Sequence, residues 1–126
     1  MSMLSSQTSQ RVLYASAGLS AFAVYKHTSL AFSELFPRLD RAVGIEPPML
    51  FSTKSNFLQV GAAWTIVGLL QLKWAKYGLT TGYDKAILGF YAINSFGFGL
   101  AYFMKGMYIP LVPIWLIPAL TSLSQL

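Results

Sequence analysis

Lys85-Ala86-Ile87-Leu88-Gly89-Phe90-Tyr91-Ala92-Ile93-Asn94-Ser95-Phe96-Gly97-Phe98-Gly99-Leu100-Ala101-Tyr102-Phe103-Met104-Lys105 carries no charge between its flanking lysines. Its interior matches the ~20 residues that cross a ~30 Å hydrocarbon core as a helix. Strands of a membrane barrel alternate polar and apolar residues over ~10 positions, and this stretch does not. A segment surrounded by lipid must satisfy its backbone internally, so the reading is a helix over residues 86–104.

The same punctuation by charge recurs on both sides. Residues 55–72 lie between Lys54 and Lys73, and residues 107–125 follow Lys105-Gly106. A less uniform first block covers residues 12–36, where Lys26 and His27 interrupt the apolar character before Pro37 is expected to end the helix. Arg11 ahead of a short apolar core, with Ala15-Ser16-Ala17 and Ala21-Phe22-Ala23 as small-x-small sites, also admits a cleaved signal peptide. The expected fold is therefore all-α: a transmembrane four-helix bundle with short connectors, forming one domain over residues 1–126.

Composition agrees. In a chain of 126 residues, 55% are hydrophobic and 10% charged. So short a soluble domain buries only about 60–70% of its unfolded surface and would be left with large apolar patches. The absence of cysteine excludes disulfides, thiolate metal sites and cysteine nucleophiles. A single histidine excludes a histidine-rich metal cluster or a bis-histidine haem within the chain, and no cofactor is expected. The net charge of +5 is scattered, whereas nucleic-acid binding wants a basic stripe with exposed stacking aromatics. No nucleic-acid partner is expected; the bilayer is.

The connectors read as surface segments. Residues 37–48 are the most polar part of the chain, with Pro47-Pro48 expected to hold Glu46 extended and Ser52 or Thr53 to cap the next helix. Residues 73–85 mix lysines with Trp74, Tyr77 and Tyr83, a blend suited to a membrane interface. Asp40 beside Arg41 and Asp84 beside Lys85 read as solvated loop charges. Four crossings place Arg11, Lys73, Lys76 and Lys85 on one side and Arg38, Arg41, Lys54 and Lys105 on the other, so basic residues do not orient the chain. Both the endoplasmic reticulum and the mitochondrial inner membrane suit the serine-rich, acid-free start.

Helix association in lipid relies on close contact and interhelical hydrogen bonds. Expected packing positions are Ala17 and Ala21, then Gly61, Thr65 and Gly68, then Gly97 and Ala101 with Ser95 and Gly99 beside them. Asn56, Gln59, Asn94 and Ser95 are the polar residues expected inside the membrane, with Gln71 near a helix end. Their bland role is adhesion between helices. His27, Glu34 and Asn94 are the candidate chemical residues, because His27 is the only histidine, the residue type suited to moving protons near neutral pH, and it shares a helix side with Glu34. The plain alternatives put His27 with Lys26 in the headgroup layer and pair Glu34 with Arg38 four residues on.

The order of a small-residue helix, the connector Pro37...Val43-Gly44-Ile45-Glu46-Pro47 and three compact helices, the first containing Asn56-Phe57-Leu58-Gln59-Val60-Gly61, resembles small four-helix membrane proteins of the DoxX-like type. Members often carry a proline and a Gly-Ile or Gly-Leu step after the first helix. The resemblance implies the four-helix architecture and transfers no catalytic residue. Two functions stay open: an accessory or structural subunit packing against membrane partners or its own copies, and a small membrane enzyme or binder acting on a hydrophobic lipid-like molecule.

Overall fold

The computed structural model describes residues 6–125, and within them every regular element is helical. Helix α1 (Ser6–Leu30) passes through a π-helical stretch (Ala31–Leu35) into α2 (Phe36–Asp40). After a short connector come α3 (Pro47–Tyr77) and α4 (Gly82–Met104), then a second π-helical stretch (Val112–Leu116) and α5 (Ile117–Leu123). In space these make four antiparallel helical rods, with α1 packed along α3 and the last rod against α1 and α4.

Pro37 does not stop the first rod. Proline lacks the N–H that would close a helical turn, and the chain accommodates it by widening beforehand, the Phe36 N–H reaching the Ala31 carbonyl five residues back. Pro37 then occupies the first turn of α2, where a missing donor is harmless. The same logic moves the start of the second rod. Pro47 and Pro48 sit in the first turn of α3 after an extended Glu46, so the prolines begin the helix that Ser52 or Thr53 was expected to cap. Thr53 instead bonds back to the Met49 carbonyl at 2.9 Å.

The rods differ in length. His27 on α1 touches Phe57 on α3, so residues 31–56 form a charged hairpin tip beyond that level. Lys26 and Leu30 line one groove with Ile109 and Pro110, which follow closely on the end of α4. The tip therefore overhangs the other two rods. At the opposite end Gly78 (φ +74°) turns the chain out of α3, and Thr81 and Asp84 form a reciprocal capping box that starts α4.

Of these helices, Gly82–Met104 is long and apolar enough to cross a membrane, with a mean hydropathy of 1.4 over its best window. Asn56, Gln59 and Gln71 dilute α3, and Lys26 with several hydroxyls dilutes α1. The final segment is apolar over Val112–Leu123, shorter than the ~20 residues of a full crossing. Pro110, Pro113 and Pro118 delay its regular helix beyond the expected start at residue 107.

Large apolar side chains point outward: Phe90 is 73% exposed, Ile93 76% and Phe96 63%. Polar ones are enclosed, among them Ser16, Ser20, Gln71, Asp84, Thr121 and Ser124. The buried apolar cluster is small, centred on Leu13, Trp74, Ala75 and Leu88. Burying polar groups and exposing large apolar ones is the pairing that departs from a soluble interior.

Candidate functional site

Two enclosed polar clusters and one apolar groove are the candidate sites. The first is a hydrogen-bonded chain through fully enclosed groups. Ser20 Oγ donates to Gln71 Oε1 at 2.8 Å, Gln71 Nε2 donates to Thr121 Oγ1 at 2.8 Å, and Thr121 donates to the Ile117 carbonyl at 2.8 Å. One amide, with a donor and an acceptor pointing opposite ways, thus ties the first, second and fourth rods. Gly68 permits it by bringing α3 close to Ser20, whose Cβ lies 3.4 Å from the position a Cβ would take.

The second is Asp84, enclosed although the sequence suggested a solvated loop charge. Its Oδ1 accepts from Lys73 Nζ at 2.6 Å and from Trp74 Nε1 at 2.9 Å. Its Oδ2 accepts from the Thr81 hydroxyl at 2.9 Å and the Thr81 N–H at 3.2 Å. Four donors around one carboxylate, at a helix N-terminus, compensate for its removal from water. The group anchors the α3–α4 turn and leaves no free oxygen for chemistry.

The third is a groove of about 460 Å³ between α1, α3 and the last rod. Leu19, Phe22 and Leu30 form one wall, Trp64 the floor on α3, and Ile109 and Leu116 the other wall, with Lys26 and His27 the ionisable residues. The segment Val112–Leu116 that borders it is π-helical, a geometry often found at functional positions. His27 stacks on Phe57 with ring centroids 3.8 Å apart and donates from Nε2 to the Phe57 carbonyl at 2.7 Å. A carbonyl only accepts, so Nε2 carries the proton. His27 is thus held in the α1–α3 seam, beside a Lys26 that stays exposed.

The candidate chemical residues do not meet. Glu34 lies on the overhanging tip, ion-paired with Arg38 at 3.5 Å as the i,i+4 spacing suggested. Asn94 is exposed on α4, away from the groove. Asp40 also has a partner other than its sequence neighbour, Lys54 at 2.5 Å. Among the described residues, no three acidic or histidine side chains gather where they could hold a metal ion.

The polar and small positions divide similarly. Ser95 is enclosed, whereas Asn56 and Gln59 are exposed. Ala17 and Gly61 are buried, Gly61 in the α1–α3 seam facing His27 and Thr28. Ala21, Thr65, Gly97 and Ala101 face outward, and the close approach on α4 occurs at Gly99 under Trp115.

Comparison with known proteins finds no matching family model, no matching curated protein and no matching solved structure. The residues missed by sequence reasoning are Thr121 and the buried role of Asp84. Thr81-x-x-Asp84 is a capping-box pattern and was the available signal for the latter. Thr121 carries no local signal, because its role depends on a residue 50 positions away.

Proposed function

We propose that the chain is a multi-pass integral membrane protein without a reaction of its own, an accessory or structural subunit that packs against other membrane proteins. The observation that carries this reading is the distribution of polarity: enclosed Gln71, Thr121, Ser20 and Asp84 against outward Phe90, Ile93, Phe96 and Phe98. Lipid tolerates such an exterior and makes enclosed hydrogen bonds useful as adhesion. The candidate span Gly82–Met104 supports it, as does the resemblance to DoxX-like proteins. The exposed amides Gln59 and Asn94, bonded to nothing among the described residues, suit hydrogen bonds to helices of a partner or a second copy. The endoplasmic reticulum and the mitochondrial inner membrane both suit such a subunit.

Alkaline carbonate washing followed by single-cysteine labelling tests the membrane assignment, and the cysteine-free background makes the variants clean. Val43→Cys and Lys105→Cys are expected to react from one side and Thr80→Cys from the other. Release into detergent-free buffer as a monodisperse monomer overturns the proposal. Stoichiometric retention of a membrane protein after mild extraction is the expected sign of the subunit role, with retention lost in the Gln59→Leu/Asn94→Leu double variant.

A second reading, a binder of a hydrophobic molecule, is favoured by the groove beside His27 and Trp64.

A further inference from the structure

We infer that this groove holds one acyl chain of an anionic phospholipid, with Lys26 receiving the headgroup. The inference rests on the membrane reading and goes beyond it by naming a ligand, a place and a recognition element. The groove's volume of about 460 Å³ falls within the ~300–1,000 Å³ of pockets that enclose small molecules. Its walls are hydrocarbon: Leu19, Phe22, Leu30, Ile109 and Leu116.

Lys26 is the only lysine or arginine within α1 beyond Arg11, and among the described residues it forms no ion pair. Its ammonium lies 6.0 Å from the Phe22 ring centroid, at the edge of the groove wall. The charge is also at a suitable depth. Lys26 shares the groove with Ile109 and Pro110, just past the end of the candidate span at Met104, so it stands level with that membrane boundary. From there the wall descends through Phe22 and Leu19, one and two helical turns deeper. A cation at the mouth and an apolar channel below it match a phosphate-bearing headgroup above an acyl chain. A free aqueous anion would have no use for the channel, and an uncharged lipid none for Lys26.

Among the described residues the Trp64 indole N–H makes no hydrogen bond, which leaves it available to the ester oxygens of the ligand.

The test is native mass spectrometry of protein exchanged from nanodiscs containing equal phosphatidylglycerol and phosphatidylcholine of identical acyl chains. Wild type is expected to retain one phosphatidylglycerol with a preference of about fivefold, the effect of one interfacial lysine. Lys26→Gln should bring the preference to parity, and Lys105→Gln should leave it intact. Ala23→Leu, which narrows the wall, should reduce retention of both lipids with helicity unchanged. Equal retention by wild type, or an unaltered preference in Lys26→Gln, overturns the inference. Failure of the protein to enter nanodiscs at all instead overturns the membrane reading.

Discussion

The Trp115 indole lies directly over Gly99, so that a Cβ built on Gly99 would fall 1.8 Å from Trp115 Nε1. The indole is held there by the Phe96 carbonyl, 3.3 Å from Nε1, and by rings of Phe96 and Phe103 with centroids 5.9 Å and 6.0 Å away. Gly99→Ala is therefore expected to expel the ring and to cost about 1–3 kcal/mol, the range for overpacking. Unfolding in a graded denaturing detergent reads the cost, and tryptophan emission reads the displacement. Pairing Gly99→Ala with Trp115→Leu should recover most of the loss. A neutral Gly99→Ala with unchanged emission refutes the contact.

Gln71→Leu removes both halves of the bond chain from Ser20 to Thr121. The Ser20 hydroxyl loses its acceptor, while Thr121 keeps the Ile117 carbonyl. The expected loss is about 1–3 kcal/mol, the penalty for stranding buried polar groups. Ser20→Ala should cost a similar amount, because it leaves the enclosed Gln71 Oε1 without its donor. The same detergent titration, run on both variants, reads the two losses; equal stability of Gln71→Leu and wild type contradicts the bond chain.

Asp84→Ala should lose the carboxylate half of the capping box, leaving the Thr81 hydroxyl on the backbone N–H of residue 84, and strand the Trp74 N–H, lowering stability by about 1–3 kcal/mol. Lys73→Met should cost distinctly less, because the Lys73 side chain is 46% exposed and water can replace its partner. Hydrogen exchange at the start of α4 gives the local readout. Faster exchange there in Asp84→Ala but not in Lys73→Met is the expected pattern, and its reversal counts against the cap.

Glu34→Gln and Asn94→Leu are expected to change the stability of the isolated chain by no more than about 0.5 kcal/mol, since both side chains are exposed. His27→Ala removes the Phe57 stack and carbonyl bond and should cost about 1–2 kcal/mol. Thermal unfolding in mild detergent distinguishes the three. A large loss from Glu34→Gln would show that the hairpin tip depends on its ion pair.

Charge punctuation located all four rods because apolar length is a local property. Boundaries were less legible, since proline has two opposite uses. Pro37 was expected to end a helix and Pro47-Pro48 to lie outside one, yet each sits in a first turn where its missing N–H is harmless. Which amide lies inside depends on rotation of a rod about its axis. Gln71 on α3 faces Ser20 and Thr121, whereas Asn94 on the more apolar α4 faces outward, and no spacing within either segment distinguishes them. Gly99 could be marked as small but not assigned to Trp115, because that contact depends on how the last rod folds back.

The separation of 50 positions between Gln71 and Thr121 imposes a timetable on biosynthesis. At ~5–20 residues per second, the ribosome needs about three to ten seconds to supply the threonine after the glutamine has been made. For that interval the amide nitrogen can be answered only by water or by a borrowed carbonyl, even after the first two rods have joined. The nascent chain thus carries a temporary mark of incompleteness, erased when its final rod docks.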